Sequence, residues 1–315
     1  MPDSTFTPRI PEAIQALREV LVLEKASGTE RITLSVDSVK RLQELPGYLQ
    51  GRGAAPLAQP PAPRMAEEKV VAPTLQSDPP SPAVAPSITP AFPSALQPQG
   101  ATKAEKIAWL AREAERCEEC RGLGTLREVM VFSVGNPDAD LMFVGEAPGF
   151  EEERQQEPFI GPAGQKLTQI IKAMGLRRPE DVYISNIVKF RPMKGDPRFQ
   201  GQQNRKPEPR EMAASLKYVL AEIEIVRPKV IVALGATAAE GLLEKSGAIT
   251  RMRNQFHDLR GTPVMVTYHP SYLLRTESNS PDGGKGEKRK VWEDMLMVME
   301  RLGLPISDKQ RGYFK

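Results

Sequence analysis

The stretch V-G-E-A-P-G-F-E-E-E-R-Q-Q-E-P-F-I-G-P-A-G, residues 144–164, decides how the rest of the chain is read. It continues the apolar run Leu141-Met142-Phe143-Val144, which has the length and residue types of a buried strand. Gly145, Pro148 and Gly149 break that strand, and Glu151, Glu152 and Glu153 follow where a helix starts. Acidic residues suit that end of the helix dipole, so the three glutamates are expected to be a solvated first turn. Strand, tight turn and helix start is how open α/β sheets present a ligand crevice at their carboxyl edge. Phe159 has no apolar periodicity around it, so its ring is expected to cover a pocket.

Three more strand-like runs lie downstream, at residues 182–188, 230–235 and 263–269. Helical stretches at 164–174, 208–226 and 237–245 separate them, a helix at 106–119 precedes them and another at 290–302 follows. Strands alternating with helices imply right-handed crossovers and a parallel sheet covered on both faces. The expected fold is three-layer α/β/α with a central four-stranded parallel sheet. The loops after the strands contain Glu146-Ala147-Pro148, Asn186, Gly235-Ala236-Thr237 and His269-Pro270-Ser271. In a parallel sheet these loops share one edge.

The 315 residues are 40% hydrophobic, enough for a core, but 30 prolines are too many for one compact body. Residues 46–100 are rich in Pro, Ala, Ser and Gln, and read as a disordered linker. The expected organisation is a small helical segment at 1–45, that linker, a domain at 101–305 and a tail at 306–315. A net charge of +3 neither demands nor excludes nucleic acid. No apolar run approaches the roughly 20 residues of a membrane span, and no signal-peptide pattern is seen. The two cysteines sit in one C-x-x-C, which argues against a secreted disulfide scaffold. A cytoplasmic protein is expected.

The shared edge suggests a chemistry. Asn186 offers one acceptor and two donors, a match for the edge of a pyrimidine or an amide, and Phe159 offers a stacking face. In H-P-S-Y-L-L-R, His269 precedes two leucines and Arg275 in an expected loop, which suits insertion into a base stack beside a phosphate. At these residues the chain resembles the uracil-DNA glycosylase superfamily, most closely its family 4, the iron–sulfur type. The motifs G-E-A-P-G, P-F-I-G-P-A-G, S-N-I-V-K-F-R-P, N-R-K-P-E-P, V-A-L-G-A-T-A and Y-H-P-S-Y-L-L-R stand in the family's order.

The resemblance implies a base-excision repair enzyme that hydrolyses the N-glycosidic bond of uracil in DNA. It implies that Glu146, Ala147 and Pro148 line the base pocket and place the attacking water. Phe159 would stack on the extruded uracil, Asn186 would read its amide edge, and His269 would donate to O2. Leu273 or Leu274 would fill the gap left in the duplex, with Ser271 and Arg275 on the DNA. Ala147 stands where well-known relatives carry a water-assisting aspartate, and Gly149 where they use a tyrosine against the thymine methyl.

The departures concern the cofactor. A [4Fe–4S] cluster needs four cysteines. Cys117 and Cys120 match the first pair, but Phe190 and Ser215 stand at the other two positions, so no cluster is expected. Residues 193–203 also form a longer link than usual, in which Lys194 and Arg198 could brace DNA. A monomer acting on uracil-containing DNA is expected, with no partner named for the N-terminal segment. The alternative is a catalytically weak or inactive DNA-binding protein of the same fold. A phosphate-binding nucleotide fold ranks last, since neither G-x-G-x-x-G nor G-K-[ST] is present.

Overall fold

Leu141 and Phe143 point to one face of their strand, Met142 and Val144 to the other, and all four are buried. A strand buried on both faces belongs in the middle of a sheet with helices on each side. The computed structural model describes residues 96–245 and 247–314, and it puts the strand there. The expectations for 1–45 and for most of the linker lie outside the described residues.

The first described elements are α1 (Lys103–Glu115), α2 (Glu118–Gly122), β1 (Leu126–Met130) and β2 (Val134–Gly135). Next come β3 (Leu141–Gly145), α3 (Phe150–Gln155), α4 (Pro162–Ala173), β4 (Val182–Asn186) and β5 (Phe190–Pro192). Then follow α5 (Pro209–Val226), β6 (Val230–Leu234), α6 (Ala236–Leu243), α7 (Ile249–Met252), β7 (Phe256–Leu259) and β8 (Thr262–Thr267). The last are α8 (Pro270–Asn279), α9 (Lys285–Leu302) and α10 (Asp308–Arg311).

The sheet has six strands in the order β2-β4-β3-β6-β8-β7. Its centre, β4-β3-β6-β8, is parallel as the alternation predicts. The edge strands β2 and β7 are antiparallel additions. Two residues, or a four-residue F-H-D-L, are too short to show a period of two. A separate antiparallel pair joins β1 to β5.

Two core layers follow from the alternation. Met142, Val144, Ile231, Ala233, Val264 and Val266 pack toward α1, α5 and α6. Leu141, Phe143, Ile184, Val232 and Met265 pack toward α4, α8 and α9. The chain leaves β3 toward β4 on one side and leaves β6 toward β8 on the other. The adjacent carboxyl ends of β3 and β6 therefore form a topological switch point, the place where α/β sheets hold ligands.

Two boundaries differ from expectation. The helix expected at 106–119 starts at Lys103, with a capping box between Thr102 and Glu105, and stops at Glu115 because Cys117 caps a new turn. Residues 306–314, expected as a tail, pack on the body. Trp292 Nε1 donates to the Gln310 carbonyl at 2.6 Å, Gln310 Nε2 to the Ala173 carbonyl at 2.8 Å, and Tyr313 lies against Trp292.

Candidate active site

Parallel pairing brings the loop residues to one edge. Gly145 pairs with Asn186, and the ladder continues as Ile187 N–H bonds the Gly145 carbonyl at 3.0 Å and Val188 N–H the Glu146 carbonyl at 3.1 Å. Gly235 N–H bonds the Thr267 carbonyl at 2.9 Å, which sets the loop after β6 beside His269. The result is a cavity of about 650 Å³ whose lining includes Glu146, Ala147, Pro148, Phe159, Asn186 and His269. That is a size typical of small-ligand sites.

Phe159 is 5% exposed and sits at φ +56°, a left-handed conformation that a bulky residue holds only when its surroundings impose it. Arg178 supplies the restraint: its guanidinium donates to the Phe159 and Pro158 carbonyls at 2.7 Å each. The ring packs on the Leu141 side of the sheet and also lines the cavity, with its centroid 5.8 Å from that of His269. Gly145 permits this approach. A Cβ there would lie 2.4 Å from both Asn186 Oδ1 and the Phe159 ring. Asn186 is 4% exposed, and its Oδ1 has no hydrogen-bond partner. Such an orphan costs about 1–3 kcal/mol and calls for a donor from outside the chain.

His269 caps α8. Its Nδ1 accepts the Ser271 N–H at 3.2 Å and lies 2.8 Å from Ser271 Oγ. A nitrogen that accepts a backbone N–H carries no proton, so the neutral ring is assigned its proton on Nε2. Burial, then the Arg275 charge, lowers its pKa from 6.5 to about 4. The ring is thus a neutral donor. Gly235, at φ +90°, leaves room for it; a Cβ there would lie 3.1 Å from His269 Cβ.

Thr237 and Glu152 are site residues without a role in the motif reading, although Thr237 lies in V-A-L-G-A-T-A. Thr237 Oγ1 donates to Glu146 Oε2 at 2.5 Å. Burial raises the Glu146 pKa, against the Thr237 hydrogen bond and the charges of Lys206 and Arg275. Glu152 ties the two glycine turns together, accepting Gly149 N–H at 3.1 Å and Gly161 N–H at 2.9 Å. Glu153 is buried and pairs with Arg127 and Arg191. The expected solvated acidic turn is therefore corrected. Only Glu151, paired with exposed Arg154, resembles it.

The segment H-P-S-Y-L-L-R, expected as a loop, is the start of helix α8, because Pro270 suits its first position and His269 caps it. Leu273 then falls on the buried face at 2% exposure, packed in the core. It is not available to enter a duplex. Leu274 is half-buried and Arg275 exposed. Arg275 Nη1 donates to Ser271 Oγ at 3.3 Å, so Ser271 is engaged with both Arg275 and His269. In α9, Lys288, Arg289 and Lys290 pair with Glu277, Glu293 and Glu287.

The four cluster positions lie together in one core layer or against it. Cys117, Cys120 and Phe190 are all buried there. The Phe190 ring carries the Arg121 guanidinium 5.3 Å from its centroid, and Ser215 Oγ accepts Lys189 N–H at 3.1 Å. Cys117 Sγ accepts Cys120 N–H at 3.4 Å. Burial opposes the Cys117 thiolate, but hydrogen bonds from Tyr218 and Cys120 and the Lys217 charge hold its pKa below the ordinary value; the Cys120 thiol is pushed up to about 12, chiefly by burial. Two thiols, a phenyl ring and a hydroxyl already bonded to the backbone do not fit a four-iron cluster. Among the described residues no group of three His, Cys, Asp or Glu could hold a metal.

Fold and site define an α/β protein with a small-ligand cavity at the switch point of a parallel sheet. The sequence model of the uracil DNA glycosylase superfamily matches residues 132–296. A type-4 uracil-DNA glycosylase of Thermotoga maritima is 43% identical over 56% of this chain and 88% of the relative. Others, from Archaeoglobus fulgidus and Sulfurisphaera tokodaii, are 35% and 37% identical; they cover 54% and 67% of this chain and 84% and 90% of their own lengths. The chain belongs to the uracil-DNA glycosylase superfamily.

Proposed function

We propose that this chain removes uracil from DNA by hydrolysing the N-glycosidic bond, leaving an abasic site. The single observation that carries the reading is the Asn186 side chain, buried with an unpartnered Oδ1 beside the Phe159 ring and His269. The N3–H of uracil is the missing donor for that oxygen, and the Asn186 amide N–H can donate to O4. Cytosine has neither group in that arrangement.

Uracil is extruded and stacks on Phe159, at a cost of a few kcal/mol for unstacking that pocket contacts offset. The C1′–N1 bond breaks with both electrons going to the base. His269 donates its Nε2–H to O2 as the anion develops, the kind of hydrogen bond worth about 3–4 kcal/mol in the transition state. Water adds its oxygen to C1′ and releases one proton, which balances the uracil anion. The turn Glu146-Ala147-Pro148 places that water. Ala147 supplies no carboxylate and Glu152 is engaged by two backbone N–H groups, so Glu146 is the acidic group left to assist. Leu274, rather than Leu273, is left to fill the duplex gap, with Arg275 at a phosphate.

All these residues come from one chain, so a monomer suffices. We infer that it works without an iron–sulfur cluster, since Phe190 and Ser215 complete the corner as packed protein. No described helix is long and apolar enough to cross a membrane. Incubation with a uracil-containing oligonucleotide followed by alkali should cut the strand at uracil. DNA binding with no cleavage at stoichiometric protein would instead support the inactive alternative, which no other observation favours.

A further inference from the structure

Residues 193–203 link β5 to N-R-K-P-E-P, and none of the chemistry above uses them. Their base is held tightly. Arg191, 1% exposed, donates to the Gly201 and Gln203 carbonyls at 2.8 Å each and to Asn204 Oδ1 at 2.9 Å. Buried Gln200 donates to the Pro192 and Gln203 carbonyls at 3.0 Å. Arg205 holds the Met193 carbonyl at 2.5 Å, and Arg127 holds that of Pro197 at 2.7 Å.

The tip is the opposite. Asp196 accepts the Arg198 N–H at 2.9 Å, and its carbonyl accepts the Phe199 N–H at 3.0 Å, a turn that presents Phe199 outward. Phe199 is 80% exposed, whereas the next large apolar side chain among the described residues, Phe314, is 45% exposed. The Arg198 guanidinium lies 5.6 Å from the ring centroid and is paired with Asp196. The tip therefore offers a ring rather than a bare charge.

One exposed phenylalanine needs no explanation by itself. Here, however, a fully buried guanidinium, costly unless every donor is satisfied, orders the loop that carries it. The same guanidinium holds Asn204, which lines the cavity. Five residues of extended chain span at most about 18 Å, so Phe199 lies within about five nucleotide steps of the pocket wall.

We propose that Phe199 is a DNA contact, stacking on a base a few nucleotides from the excised uracil. Aromatic stacking tolerates any sequence, which suits an enzyme that must act wherever uracil arises. The proposal rests on the glycosylase reading of the pocket.

The test compares the full chain with Phe199→Ala and Phe199→Trp on single- and double-stranded uracil oligonucleotides. Phe199→Ala should raise Kd and KM about tenfold on at least one of them, with kcat nearly unchanged. Phe199→Trp should keep both constants near the parent values and show tryptophan quenching on DNA. Unchanged Kd and KM for Phe199→Ala on both substrates would overturn it. Because Kd needs no turnover, failure of the parent protein to release uracil would defeat the pocket reading without deciding this one.

Discussion

Asn186 and Phe190 stand four residues apart in S-N-I-V-K-F-R-P, yet they belong to opposite kinds of environment. At Asn186 the protein keeps a buried oxygen without a partner, beside a phenylalanine held at φ +56°. At Phe190 the ring is packed, the neighbouring Lys189 N–H is satisfied by Ser215, and Cys117 caps a turn. One corner carries unmet hydrogen-bonding capacity, which a ligand can use. The other is packed as ordinary core. On the proposed reading, the pocket takes its geometry from these neighbours and its chemistry from side chains.

That contrast can be broken from either side. Phe190→Ala should cost about 3–5 kcal/mol through the cavity it leaves, measured by urea unfolding, while the folded fraction keeps its turnover per molecule. His269→Ala should do the reverse. A loss of roughly 10²- to 10³-fold in kcat is expected for one lost donor, with a stability loss of only about 0.5–2 kcal/mol from the missing α8 cap. A Phe190→Ala variant that lost kcat and kept its stability would show that the corner acts in catalysis.

A smaller effect separates the groups within the pocket. Thr237→Val removes the hydrogen bond that lowers the Glu146 pKa, so that pKa should rise further. If ionised Glu146 assists the water, the acid limb of the pH–rate profile moves to higher pH, and Thr237→Ser restores it. An unmoved limb in Thr237→Val would remove Glu146 from the chemistry. The last effect concerns stability. His269 titrates at 6.5 when unperturbed and at about 4 when folded. Below 6.5 the unfolded chain binds the extra proton, so this contribution is present above 6.5 and is lost as pH falls through about 4. His269→Asn should flatten that part of the stability curve.

The parallel centre of the sheet was legible because strands buried on both faces are continuous apolar runs, and each ends at a loop with chemistry in it. Phe159, Asn186 and His269 were legible as residue types on a common edge. Leu273 was misread because a helix cap and a loop look alike until the backbone is seen; Pro270 after His269 was the available signal for the helix. Glu152 and Glu153 were misread because a glutamate run says nothing of which carboxylates meet distant amides and guanidinia. Thr237 was hidden for the same reason, its partner Glu146 lying 91 residues away.

The central claim is uracil excision by a chain whose cluster corner is packed with protein. It is tested most directly by counting iron and acid-labile sulfide on anaerobically purified protein and measuring uracil release on the same sample. The account predicts repeated turnover with iron far below one atom per chain. A four-iron complement whose removal abolishes uracil release would contradict it.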